Sequence, residues 1–341
     1  MDKKVLTIAA TLLAGAANFL PTAALAQSGP DSLGAGGPFD PISSRILSDP
    51  LYLPLTGQIY GESSYVFTRS NYDVFNGRTP GSQIAGTEDN HSLTQYLAYG
   101  LTDEFSLHAA ISHDWNNLDR TASIPGAATG THSEGFTNPI FGATYRLLDQ
   151  AYEMPVNLDL SFDYAPDLIS RQAPGNGLDG TVGAGRDRTD FSLAVGREMR
   201  AFTIVGKLTA SHLGQQNYVS LANNNNFTQD SGWVYNLGVN TQTRLTDQWS
   251  IDAGLGYNFA EDLSGRNETL GLPFQDKTAN GLTIGTGVNY AIMPGSLVAG
   301  VTYDYRDLTD SGTNYYTLGK NSQIRNHDAH VVGVNLRYVF D

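Results

Sequence analysis

Between residues 57 and 341, apolar side chains recur at every second position, in runs separated by polar, glycine-rich stretches. The clearest run places Trp249, Ile251, Ala253, Leu255, Tyr257 and Phe259 in one phase, with Ser250, Asp252, Gly254, Gly256 and Asn258 in the other. A helix would scatter that pattern over all its faces, whereas a strand gathers it on one. Twelve such runs cover residues 59–67, 93–101, 105–111, 141–147, 156–164, 191–195, 202–208, 233–239, 249–259, 282–292, 297–305 and 332–340. Five connections are short, near 102–103, 148–154, 199–200, 246–247 and 294–295. Six are long and polar, at 71–90, 114–135, 165–187, 214–230, 261–277 and 307–326. This alternation predicts an all-β, up-and-down antiparallel meander of twelve strands, with both chain ends on the short-turn side.

The N-terminus carries an export address. Asp2, Lys3 and Lys4 precede an apolar run from Val5 to about Leu20, and Ala24, Leu25 and Ala26 form an A-x-A cleavage site. Residues 1–26 are therefore expected to be a signal peptide cleaved near Ala26. No run of about eighteen apolar residues follows, so a membrane-spanning mature chain must span as a closed transmembrane barrel.

The apolar face is assigned to lipid because most runs reach the length a tilted strand needs to cross the hydrocarbon layer. Aromatic residues also mark the ends of the runs. Tyr99, Phe105, Tyr145, Phe202, Trp249, Tyr290 and Tyr338 lie near the short turns, and Phe67, Tyr164, Phe191, Trp233, Tyr257 and Tyr305 near the long connections. Two such bands form the interfacial girdles of a membrane barrel. The opposite phase collects Glu62, His108, Arg146, Asp159, Asp163, Asp190, Lys207, Arg244, Asp252, Asp304, Arg306 and Arg337. Charges are costly in lipid and in a dry core alike, so these are expected to line the lumen. Twelve strands tilted by roughly 40° give a backbone diameter of about 24 Å and a bore of very roughly 10 Å.

The last run, Val332 to Phe340, has apolar residues alternating back from a near-terminal aromatic. It resembles the C-terminal strand of bacterial outer-membrane β-barrel proteins, in which Tyr338 and Phe340 would form the signal read by the barrel assembly machinery. That resemblance implies a Gram-negative outer membrane, with lipid and lipopolysaccharide as surroundings.

Composition removes several alternatives. There is no cysteine, which excludes disulfides and thiol chemistry, and a net charge of −14 with a pI near 4.7 makes nucleic acid a poor partner. Residues 27–56 are rich in Gly, Pro and Ser and do not alternate; Asp40 and Pro41 could start a short helix that Ser48, Asp49 and Pro50 would stop. This segment is either a plug in the lower mouth of the barrel, 57–341, or a loosely ordered periplasmic leader. Asp307, Asp310 and Asn314 resemble a calcium loop without its closing bidentate Glu, so a solvated loop is expected there, with an acidic loop bridged to lipopolysaccharide by divalent cations as the alternative; no resident metal or cofactor is expected.

Three functional classes stay open. One is a porin-like channel for passive uptake of small solutes, apolar or aromatic ones among them, with arginines facing aspartates across a constriction. Another is a lipid hydrolase built on His91–Ser92, Ser112–His113 or His132–Ser133–Glu134. The third is a sealed structural or adhesive barrel whose loops act.

Overall fold

The computed structural model describes residues 47, 49–76, 83–122, 129–174, 179–199, 202–221, 224–293, 295–315 and 320–340. The expected signal peptide and the helix start at Asp40 lie outside the described residues.

Twelve antiparallel staves close into a barrel. They are β1 (Ile59–Asn76), β2 (Gln83–Thr102), β3 (Phe105–Ala122), β5 (Ile140–Leu148), β6 (Asn157–Ala165), β8 (Arg188–Glu198), β9 (Phe202–Leu213), β12 (Gly232–Arg244), β13 (Trp249–Ala260), β16 (Gly281–Met293), β17 (Leu297–Leu308) and β19 (Lys320–Phe340). The last pairs back on β1, Ile59 opposite Phe340. Seven shorter strands sit above them: β4 (Thr129–Phe136), β7 (Arg171–Ala173), β10 (Gln216–Ser220), β11 (Asn225–Gln229), β14 (Leu263–Asn267), β15 (Leu272–Lys277) and β18 (Ser311–Tyr315).

One rung can be followed round the wall through Gly100, Ser106, Thr144, Ser161, Ser192, Thr209, Asn236, Asn258, Gly281, Leu308 and His327. It starts beside Gln58 and returns to β1 between Asn71 and Asp73. That offset of roughly fourteen residues over twelve staves corresponds to a tilt of about 40° and a backbone diameter of about 23 Å. The rung is polar on its inner side, where Thr144 meets Ser161 at 2.9 Å and Ser192 meets Thr209 at 2.8 Å.

Outward side chains of the lower barrel are apolar and uncovered: Leu237 is 60 % exposed, Leu255 54 % and Val301 54 %. An apolar surface that encircles the molecule is untenable in water and suited to lipid. The expected girdle aromatics stand on this surface, Phe105, Tyr290, Tyr338, Phe67 and Trp233 half-buried and the other eight exposed. Neighbours among them touch, as Trp249 and Tyr290 do with ring centroids 4.6 Å apart.

Five of the six long polar stretches depart from expectation, because much of their length is strand rather than loop, while 165–187 holds only the short β7. β1 runs on to Asn76, β3 to Ala122, and β10–β11 and β14–β15 pair as hairpins. Backbone pairing runs from β3 through β4, the turn at Gly180, β7, β10, β11, β14, β15, β18, β19, β1 and β2 back to β3, forming a second ring above the first. The cause is a reversal of polarity along single strands. On β1 the outward phase changes from Tyr65 and Phe67 to Arg69, Asn71 and Asp73, while the inward phase changes from Glu62 and Ser64 to Tyr72 and Val74, both buried. Once the wall stands in water, burial favours the opposite arrangement from the one lipid imposes. Tyr72, Val74, Ile84, Leu118 and Ile324 make one inner cluster of this extension, and Ala173, Tyr218, Phe227, Phe274 and Tyr315 another.

Candidate functional site

At the short-turn end, the segment before β1 lies across the bore. Thr56 ties it to the first turn, its backbone N–H and Oγ1 both donating to Asp103 Oδ1 at 2.9 and 2.7 Å. Leu47, Leu51, Tyr52 and Leu53 are buried, and Tyr52 packs on Tyr60 of β1 at 5.3 Å. Leu47 and Tyr52 cluster with Ala98 of β2 and Val298 of β17. Asp49 accepts from Thr203 Oγ1 of β9 at 2.6 Å and lies 3.9 Å from the Arg244 guanidinium of β12. The carbonyl of Leu51 accepts from Arg146 of β5. Contacts to staves this widely spread around the ring require the segment to cross the lumen. Two inward glycines make room: a Cβ at Gly100 would fall 2.0 Å from Leu55 O, and one at Gly196 2.5 Å from Leu51 Cδ1.

The inward charged residues pair mostly along the wall rather than across it. Arg146 makes a two-pronged contact with its rung partner Asp159 at 2.8 and 3.0 Å, both buried. Arg337 Nε lies 3.4 Å from Glu62 on the neighbouring stave, and Arg244 bonds Glu198 at 2.6 Å. Asp252 accepts from Gln242 at 2.9 Å and Asn289 at 2.6 Å. His108 Nε2 and Asp163 meet at 2.5 Å with Tyr96 stacked on the imidazole, and Asp190 pairs with Arg188 at 3.0 Å. Asp304 and Arg306 share one face of β17. Half-buried Lys207 feels Asp163, Asp190 and Asp159, yet no ion pair within 4 Å reaches it among the described residues.

The His–Ser neighbours are held apart. His91 faces outward, stacked on Trp115 at 5.3 Å with Nδ1 2.7 Å from Tyr65 Oη, while Ser92 is buried inside. Ser112 bonds Thr94, and His113 packs on Phe136. His132 contacts Asn117 and Glu134, whereas Ser133 is buried. Of the calcium-like trio, Asp310 lies 3.7 Å from Arg325 and Asn314 belongs to β18.

A second buried polar site occupies the extension. Arg186 donates to Gln216 at 2.7 Å and to Gln229; Gln229 donates in turn to Asp276 at 2.7 Å, and Thr313 Oγ1 to the other carboxylate oxygen at 2.6 Å. Arg171 lies over the Tyr218 ring at 5.4 Å. Burial pushes the Asp276 carboxyl up to about 7 and the Arg186 guanidinium down to about 9. Sequence reasoning missed this group because its members fall within stretches that read as loops.

No protein-family model matches the chain, and no curated protein is similar to it in sequence. Its fold is similar to that of an outer-membrane channel from Pseudomonas putida F1, at a TM-score of 0.57 and 13 % identity over 85 % of this chain and 97 % of the other. It is also similar to the transport unit of the autotransporter AIDA-I from Escherichia coli, at a TM-score of 0.51 and 10 % identity over 83 % and 90 % of the two chains. The chain has the fold of a bacterial outer-membrane β-barrel.

Proposed function

We propose that the protein is an outer-membrane channel for passive movement of small solutes, closed at its periplasmic mouth by residues 47–56, and that the leader 27–56 is its gate. The observation that carries the reading is the docking of this segment on lumen groups through hydrogen bonds and small apolar contacts. Asp49, Thr203, Arg244 and the Arg146–Leu51 bond hold it without a strand of the barrel being displaced. Fold similarity to an outer-membrane channel supports the same class. With the leader displaced, solutes would pass the ring formed by Arg146, Arg244 and Arg337 with Asp159, Glu198, Glu62 and Asp252. Higher up they would meet Lys207, Asp163, Asp190, Asp304 and Arg306. Charges on a narrow wall select by sign and size.

Ion selectivity tests this reading. In the chain lacking residues 27–56, Arg244→Glu should shift selectivity toward cations, and unchanged selectivity would remove Arg244 from the conducting path. A sealed barrel is the second reading, favoured by the lateral pairing of Arg146 with Asp159 and Arg337 with Glu62. It predicts no conductance with or without the leader.

A further inference from the structure

Above the lipid boundary, the second ring is held by its shortest strand at β7. Its three residues, Arg171, Gln172 and Ala173, pair with Tyr218, Val219 and Ser220 of β10, and Gln172 is bonded to Thr181 in the turn that follows. A cavity opens beside this strand, where the extension meets the barrel. Pairing between β12 and β13 ends there at Val234 opposite Ala260, and pairing between β11 and β14 starts only at Gln229 opposite Gly265. Arg171 and Asp276 line the cavity on one side and Leu213, Val234 and Ala260 on another. Its volume of about 60 Å³ is the room of about two waters in the liquid and well under what a benzene ring needs.

The cation on the polar side has no counter-ion in contact. Arg171 is 5 % exposed, and no hydrogen bond or ion pair reaches its guanidinium among the described residues; the ring of Tyr218 lies 5.4 Å away. The guanidinium keeps accessible surface, whereas the Tyr218 hydroxyl is sealed in the wall and takes no part. Asp276 and Glu88 act on Arg171 from beyond ion-pair distance, and the Asp276 carboxylate is already taken up by Gln229 and Thr313. A second guanidinium, that of Arg186, adds positive charge nearby. A buried charge is costly unless an opposite charge meets it, and the space beside Arg171 is the size of one small ion with a water.

We propose that this cavity holds one small monovalent anion of halide size, chloride in physiological salt, as the fixed counter-ion of Arg171. The apolar wall of Leu213, Val234 and Ala260 suits an ion that sheds its hydration readily, as chloride and bromide do and fluoride does not. Sulfate and phosphate are disfavoured, because a dianion is larger and meets twice the repulsion from Asp276 and Glu88. Neutralising Arg171 secures β7 on β10 and so closes the second ring at its weakest link. The site stands whether or not the barrel conducts.

The test is hydrogen exchange on the folded mature protein in detergent, with sodium chloride replacing sodium gluconate at constant ionic strength. Protection of β7, β10, β11 and β14 should rise with chloride and saturate, by about tenfold at a chloride concentration ten times its dissociation constant. The membrane staves should not respond. Bromide should replace chloride, while fluoride and sulfate should leave protection at the gluconate level. Arg171→Gln should make the extension indifferent to chloride. Equal protection in chloride and gluconate, or a chloride response that survives in Arg171→Gln, overturns the proposal. Crystals of the wild type grown in bromide decide independently of how well that variant folds. An anomalous bromide peak against the Arg171 guanidinium is expected, and a cavity holding only water overturns the proposal.

Discussion

The two ends of the cylinder bury their inner faces by opposite means. At the short-turn end the inner wall is charged, and its groups pair with one another and with the segment that precedes β1. At the outer end the inner wall is aromatic, with Tyr218 stacked on Phe227 at 5.0 Å, and it encloses a few charges together with an empty-handed hydroxyl. A polar lumen needs a removable stopper to be both closed and permeable. A wall standing in water instead needs an apolar lining to stay closed as a ring. The same strands serve both demands because the sense of their alternation reverses between Phe67 and Tyr72 on β1, and between Ile111 and Leu118 on β3.

That contrast can be broken first at its charged end. Arg146→Met strips the buried partner from Asp159 and the donor from Leu51 O, and should destabilise the barrel by about 3–5 kcal/mol in urea unfolding. A cost below about 1 kcal/mol would mean that the ion pair is not buried in the working protein. At the aromatic end, Phe274→Ala empties the middle of the inner cluster at a cost of about 3–5 kcal/mol. Hydrogen exchange should show that loss in β11, β14, β15 and β18 while the membrane staves keep their protection; uniform loss would mean that the two rings unfold as one.

A third effect is set by pH. The folded carboxyl of Asp276 is raised from 3.8 to about 7, so the proton is held more tightly in the folded state. Its contribution to stability is full below 3.8 and falls away as pH rises through the window up to about 7. Asp276→Asn should therefore protect the extension against proteolysis above pH 7 and flatten its pH dependence, and an unchanged profile would assign the titration elsewhere. The smallest effect belongs to Thr203→Val, which removes a donor from Asp49 and should loosen the leader by about 1–3 kcal/mol. Limited proteolysis between residues 47 and 56 reads that loosening directly.

The lower barrel was legible in the sequence and the upper one was not, for the same physical reason. Lipid demands an unbroken apolar face, so runs such as Trp249 to Phe259 show up as strict alternation, and all twelve staves coincide with such runs. Above the lipid the inward phase needs only scattered apolar residues. Tyr72, Val74 and Leu118 sit among Asn and Asp and therefore read as loop. The leader's contacts were hidden in another way. Asp49 lies in a Ser-Asp-Pro sequence typical of a turn, and its partners Thr203 and Arg244 are more than 150 residues away. Arg171, Arg186 and Asp276 come together only because hairpins from different connections pair with one another.

The decisive measurement is single-channel conductance in planar bilayers of the mature chain with and without residues 27–56. A channel stoppered by its leader predicts closed or rarely open behaviour for the mature chain, steady openings for the shortened one, and intermediate open times for Thr203→Val. Identical conductance in both forms, or silence in both, would contradict it.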